Sequence, residues 1–318
     1  MNIQPLSDHN PLPLVITPHG DVAANELVDW LGAHRDELAA HLHRVGGLLL
    51  RGFSVRTPEA FRAIVETFSE NLLDYVAGNS PRTHVSDKIY TSTEHPPARS
   101  IPIHNEMSYC NVWPGRIFFY CHVAPDDRGE TPIADSRRIL ARLPPGTRDR
   151  FERNGVCYVQ NLHNGRLNVG KSWQAAFETE DKTAVEAACR EKDIEWEWRA
   201  SDSLRLTHRR SAVATHPITG ERVWFNQADL WHPSNLPATT LKALRMTLGA
   251  DELPNNVCYG DGSEIPAEDL GHVRAAQLAE SVLFPWRAGD VLVLDNMLAG
   301  HGRSPFSGAR KILVAMTQ

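Results

Sequence analysis

Residues 286–316 read WRAGDVLVLDNMLAGHGRSPFSGARKILVAM. Two apolar runs rich in β-formers, 290–295 (DVLVLD) and 310–316 (RKILVAM), flank a Gly- and Pro-containing loop. That pattern predicts two core strands. His301 stands just past the end of the first strand, and Arg310 follows at the start of the second. Further back, Ile117-Phe118-Phe119-Tyr120-Cys121 lies between Pro114-Gly115 and Pro125-Asp126 and predicts another core strand. Leu48-Leu49-Leu50 predicts a short buried one.

Helical signals gather outside this β-rich part. Leu27, Leu31, Leu38 and Leu42 recur at helical spacing over 24–44, and Gly46-Gly47 ends the pattern. Thr57 as N-cap followed by Pro58 opens a helix running to about Phe68. A charged helix is expected over 180–193 with Thr179 as its cap, and further helices over 238–250 and 266–282. His216-Pro217-Ile218-Thr219-Gly220 predicts a tight turn between strands at 210–215 and 222–226. No repeat or low-complexity linker interrupts the 318 residues. The expected fold is α+β, one domain over 1–318, with a helical N-terminal part at about 20–75 and a large insertion at about 140–205.

Composition narrows the function classes. With 42% hydrophobic and 23% charged residues, the chain has the makeup of a soluble globular protein. A net charge of -6 argues against nucleic acid as a partner. No apolar run approaches the length of a membrane span, and the N-terminus lacks the pattern of a secretory signal. The five cysteines are odd in number, scattered and outside any CxxC pattern, so a reducing, cytoplasmic setting is expected.

The chemistry concentrates in Ile103-His104-Asn105-Glu106, in His301 and in Arg310. Residues two apart on an extended chain point to one side, so His104 and Glu106 can grip one ion. Two histidines and a carboxylate form the facial triad of non-haem iron(II) oxygenases, which leaves metal positions open for cosubstrate and oxygen. A nearby guanidinium suits the far carboxylate of 2-oxoglutarate as a bidentate partner. Residue by residue, blander readings compete: His104 and Glu106 as a surface ion pair, His301 as a turn cap. His41, His43, His84, His95, His122 and His163 are read as solvated or satisfied. A zinc hydrolase would use the same three ligand types, and a binding or structural protein with a silent site is a further alternative.

Residues 104–140 (HNEMSYCNVWPGRIFFYCHVAPDDRGETPIADSRRIL) and 286–316 together resemble the taurine dioxygenase (TauD/TfdA) family, most closely its SyrP-like branch. GGLLLRGF (46–53), YTSTEHPP (90–97), HPITGERVWFNQADLWHPS (216–234) and YGDGSEIP (259–266) fit as well, so the likeness runs from about residue 40 to the C-terminus. The resemblance implies a double-stranded β-helix (jelly roll) core flanked by helices. It also implies iron(II), 2-oxoglutarate and O2 as cofactor and cosubstrates, and His104, Glu106 and His301 as metal ligands. By the same likeness Arg310 holds the 2-oxoglutarate C5 carboxylate, helped by the Thr131 hydroxyl, while Lys311 turns the other way. Halogenating relatives have Gly or Ala at the carboxylate position, so Glu106 favours hydroxylation.

The implied substrate is an amino acid or an amino-acid-derived molecule, free or tethered to a carrier protein, in a natural-product pathway. Desaturation, cyclisation or carbon–heteroatom cleavage by the same oxidant are alternatives. Candidate substrate contacts are Asn79, Arg82, Thr91, Ser92, Ser108, Arg210, Asn226 and Gln227, with Arg82 or Arg210 available to a carboxylate. Gln160-Asn161 departs from the Arg-Asn more usual in the family. Trp224, Phe225, Trp231, His232 and Pro233 read as packing beneath the mouth of the site.

Overall fold

The computed structural model describes residues 1–74, 83–86, 88–93, 95–166, 170–249 and 251–318. The expected C-terminal strands are present as Val291–Asp295 and Lys311–Thr317, with Arg116–Val123 between them in one sheet. That eight-stranded sheet runs, in order, Asn2–Ser7, Asn10–Thr17, Gly47–Leu50, Val291–Asp295, Arg116–Val123, Lys311–Thr317, Ile89–Thr91 and His84–Ser86. Its pairings are antiparallel except the one between Asn10–Thr17 and Gly47–Leu50. The two N-terminal strands carry prolines, which hid them from sequence patterning.

Side-chain alternation gives this sheet two buried faces. Phe118, Tyr120, Val291, Val293, Leu313 and Ala315 pack on one side with Leu27, Leu38, Leu42, Phe61 and Ile64 of the N-terminal helices. Phe119, Cys121, Leu292, Leu294, Ile312 and Val314 point the other way, toward Ile133 and Ala299. Those two belong to a small antiparallel sheet of Ile101–His104, Ala299–Arg303 and Ile133–Asp135, whose middle strand is Ala299–Arg303. The two facing sheets are the jelly-roll core.

A third sheet, ordered Glu195–Arg199, Ser203–Arg210, Val156–Leu162 and Asn255–Tyr259, builds an extra layer beside the core. On one face of this sheet, Leu162, Leu204 and Leu206 pack with Val185 and Cys189 at one end, while Tyr158, Val257 and Tyr259 pack with Phe151 and Leu270 at the other.

Several expected boundaries move. The helix expected over 24–44 is two helices, Ala24–Ala33 and Arg35–Val45. The break falls at His34, whose backbone lies at φ -114° and ψ 21°; its ring Nδ1 bonds the Trp30 carbonyl oxygen at 2.8 Å and the ring stacks on Trp30. Gly46, at φ 87°, ends the second helix with its N–H on the Leu42 carbonyl. Thr57 caps Pro58–Phe68 as expected, accepting the Ala60 N–H at 3.2 Å. The helix expected from 180 is Lys182–Glu191, and its cap is Asp181 rather than Thr179. A carboxylate two residues closer to the helix wins the first-turn N–H.

Candidate active site

His104 ends its strand directly opposite His301 in the neighbouring one. Their ring centroids are 4.5 Å apart. His301 is therefore not in a loop beyond a strand, as the sequence suggested, but in the middle strand of the small sheet. The glycines on either side let the backbones approach. A Cβ on Gly302 would lie 2.6 Å from the Ile101 carbonyl oxygen, and one on Gly300 2.8 Å from Ile103 Cγ2.

Glu106 also reaches the histidines by a different route from the one expected. It lies in a turn after the Ile101–His104 strand, not on an extended chain. Met107 at φ 55° and the Cys110 N–H on the Met107 carbonyl shape that turn. The result is the one the His-x-Glu pattern called for. One ligand atom each from His104, Glu106 and His301 lies within 4.8 Å of the others, and His301 Nε2 stands 3.8 Å from Glu106 Oε2. Glu106 and His301 are buried, and the Phe119 ring packs at 4.9 Å from the His301 ring.

Buried amides fix this geometry; the sequence reading assigned no role to Asn105, Asn296 and Gln277 and took Gln227 for a substrate contact. Asn296 Oδ1 accepts the Glu106 N–H at 2.7 Å, while its Nδ2 donates to the Glu106 and Pro114 carbonyl oxygens at 3.0 and 2.9 Å. Asn105 Nδ2 donates to the Asn296 carbonyl oxygen and Gln227 Nε2 to that of Asn105, at 2.7 and 2.8 Å. Gln277 Nε2 holds the Ile103 carbonyl oxygen at 2.9 Å. The His104 Nδ1 contact with the Pro102 carbonyl oxygen, at 2.9 Å, turns Nε2 toward Glu106 and His301. Only the juxtaposition of Asn296 with the apolar strand before it hinted at such a role.

Arg310 lies immediately before the last strand, and the exposed Lys311 points the other way. Its Nε donates to the Gly129 carbonyl oxygen at 2.9 Å, and Nη1 lies 3.5 Å from Ser92 Oγ. Burial, with Arg303 nearby, pulls the guanidinium down to about 10, so it remains charged at neutral pH. Among the described residues it has no carboxylate partner. A buried cation without a counter-ion is costly, which fits a site that receives an anion. The buried Thr131 hydroxyl accepts the Trp286 indole N–H at 3.2 Å, so its own proton is left to donate.

A cavity of about 190 Å³ opens on the metal-type cluster and is lined by His104, Glu106, Gln227, His95, Arg99 and Trp231, among others. His95, read from sequence as a bystander, thus faces the site. Burial, then Arg99 and Arg303, push its imidazole down to about 4. Arg303 holds this wall in place by donating to the carbonyl oxygens of His95, Pro96 and Arg99 at 2.9, 2.7 and 2.7 Å.

The candidate substrate residues divide. Asn79 and Arg82 lie outside the described residues. Gln227 lines the metal-side cavity. Ser92 sits beside Arg310, and Thr91 Oγ1 accepts the Thr83 N–H at 2.8 Å. Ser108 and Asn226 face inward instead. The Ser108 hydroxyl donates to the Asn105 carbonyl oxygen at 3.0 Å, and the Asn226 amide links the Ala212 carbonyl oxygen to the Ala228 N–H. Arg210 spends its Nη groups on the carbonyl oxygens of Arg209, Lys192 and Asp193 and on the Asp193 carboxylate at 3.4 Å, so a bidentate grip on a substrate carboxylate is not open to it. Trp231 is more than packing, since it lines this cavity and a second one described below.

Comparison with known proteins agrees with this geometry. Residues 4–317 match the family described as "Taurine catabolism dioxygenase TauD, TfdA family". The dapdiamide synthesis protein DdaC of Enterobacter agglomerans is 38% identical over 317 residues, which is 99% of this chain and 94% of that protein. A clavaminate synthase-like protein of Arabidopsis thaliana is 30% identical over 326 residues, 97% of this chain and 94% of that protein. Among solved structures, PvcB of Pseudomonas aeruginosa superposes with a TM-score of 0.55 at 16% identity, covering 99% of this chain and 90% of that one. The chain belongs to the TauD/TfdA family and is an iron(II)- and 2-oxoglutarate-dependent dioxygenase.

Proposed function

We propose that His104, Glu106 and His301 hold the iron, and that Arg310 and Thr131 bind the far carboxylate of 2-oxoglutarate. We further propose that the enzyme hydroxylates an unactivated C–H bond of an amino acid or amino-acid-derived substrate in natural-product biosynthesis. The observation that carries this reading is the convergence of two imidazoles and one carboxylate on a single point. A largely buried guanidinium with no ion-pair partner among the described residues supports it. The relation to a dapdiamide synthesis protein supports the biosynthetic setting.

Iron bound at this triad would supply O2 activation, with 2-oxoglutarate converted to succinate and carbon dioxide. The chain's own residues do the rest. Three protein ligands leave metal positions for cosubstrate and oxygen. Arg310 orients the cosubstrate by a charge-assisted contact, and the Thr131 hydroxyl adds a second hydrogen bond. The Asn296, Asn105 and Gln227 amides hold the Glu106 turn in place. Apolar walls from Leu230, Trp231 and Leu236 keep bulk water from the reacting carbon, and Phe119 packs against His301.

The test is to incubate iron-loaded enzyme and 2-oxoglutarate with a panel of amino acids, free and bound to a carrier protein. The expected result is succinate release coupled to a product heavier by one oxygen atom. A product lighter by two hydrogens would replace hydroxylation with desaturation. Failure to bind iron(II) at all would end the proposal.

A further inference from the structure

Behind the metal-side cavity lies a second one of about 60 Å³, and Tyr109 and Trp231 form walls of both. Its lining brings Lys171, Lys192, His208 and Arg210, whose Nη1 lies 3.4 Å from the exposed Asp193 carboxylate, together with apolar Phe177 and Leu206, and itself includes no Asp or Glu among the described residues. His208 projects from the Ser203–Arg210 strand on the same face as Leu204 and Leu206, and is only 4% exposed. Neither of its ring nitrogens has a hydrogen-bond partner among the described residues. The Arg210 Nε is likewise buried without one.

Such groups are rare in proteins, because a buried donor or acceptor left alone loses its water without replacement. Two of them in one cavity, with two lysines at its wall, mark a place that a ligand completes. The sign of the ligand follows from the lining. Positive groups inside low-dielectric walls concentrate a field that attracts an anion. Tryptophan, tyrosine and aliphatic walls exclude a strongly hydrated surface site.

We propose that this cavity is a substrate subsite that holds a carboxylate, gripped by His208 within the field of Lys171, Lys192 and Arg210. Its volume suits a carboxylate-bearing end rather than a whole substrate. The remainder of the molecule passes Tyr109 and Trp231 to bring its C–H bond into the metal-side cavity. The enzyme therefore selects substrates with an acidic group distal to the carbon oxidised. This deepens the oxygenase reading above and rests on it for the direction of the substrate.

Binding to the metal-free full chain tests the subsite without depending on iron or turnover, so its failure would be distinct from failure of the oxygenase reading. The probes are acetate and its neutral isostere acetamide, at constant ionic strength. The readout is the His208 ring signals in a histidine-labelled NMR spectrum, assigned by their loss in His208→Gln. Acetate should shift these signals saturably, and acetamide should leave them in place. The Lys171→Gln/Lys192→Gln double variant should weaken acetate binding about tenfold, the factor that about 1.4 kcal/mol of lost attraction produces. Unmoved signals with acetate, equal shifts with acetamide, or unchanged acetate binding in the double variant would each overturn the proposal.

Discussion

Asn296 offers a sharp test of how the ligand turn is held. Its side chain is fully buried and makes three hydrogen bonds, two of them to the backbone of Glu106. In Asn296→Ala all three vanish, and the Glu106 N–H and two carbonyl oxygens are stranded. At about 1 kcal/mol for each net hydrogen bond, the metal-free protein should lose roughly 3 kcal/mol of stability. Glu106 would also lose its orientation, and losing such outer support lowers metal affinity by about 10- to 100-fold. Urea unfolding of the metal-free chain gives the first quantity, and equilibrium dialysis against iron(II) gives the second. Asn296→Asp separates the two effects. It keeps the acceptor for the Glu106 N–H but sets a carboxylate oxygen against carbonyl oxygens, so it should weaken metal binding at least as much as stability. If Asn296→Ala lost stability but bound iron(II) as tightly as wild type, the amide would be a packing device and this reasoning would fail.

Three further outcomes are expected. Arg310→Ala should raise the 2-oxoglutarate concentration for half-maximal turnover about 100-fold, since breaking a buried charge pair costs about 3 kcal/mol. The metal-free protein should not be destabilised, because the change removes a cation that has no carboxylate partner among the described residues; a substantial loss of stability would contradict its assigned role. Gly302→Ala forces a Cβ to within 2.6 Å of the Ile101 carbonyl oxygen. It should cost about 1–3 kcal/mol by overpacking and also weaken iron(II) binding by parting the strands that carry His104 and His301; unaltered thermal unfolding would count against the close approach. Stability should fall as pH drops from about 6.5 toward 4, where His95 and His208 titrate in the unfolded and folded states respectively. Their folded values are depressed, by burial first in each case, so the unfolded chain takes up protons earlier and their contribution is complete only above the ordinary histidine range. His208→Phe should flatten that slope in urea unfolding across this window, and an identical slope would refute the assignment.

Much of the frame was legible in the sequence, and the reasons are local. The strands at 116–123, 291–295 and 311–317 are nearly continuous apolar runs because both of their faces are buried. The Pro58–Phe68 helix announced itself through its Thr57 cap. His104, Glu106, His301 and Arg310 were singled out because each residue type suits one chemical task at a suggestive spacing, and the fold brings the first three together. What stayed hidden was the geometry that depends on distant neighbours. The Glu106 turn is set by Asn296 across 190 residues of sequence, and no periodicity encodes that. His301 occupies a strand of alternating small residues, Ala299 to Arg303, whose glycines read as loop until the opposing backbone is in place. The cavity at His208 required three separate segments, Tyr109, Lys171 and Lys192, to meet it. Arg210 looked like a carboxylate anchor, but its guanidinium ties down the end of the Lys182–Glu191 helix.

The account turns on whether the three converging side chains bind one ion. Anaerobic equilibrium dialysis of iron(II), with 2-oxoglutarate present, against wild type and His104→Ala, Glu106→Ala and His301→Ala measures this directly. The prediction is a single ion per wild-type chain and an affinity reduced in each variant by roughly 100-fold or more, given what loss of a first ligand must exceed. Undiminished binding of one ion per chain by all three variants would contradict it.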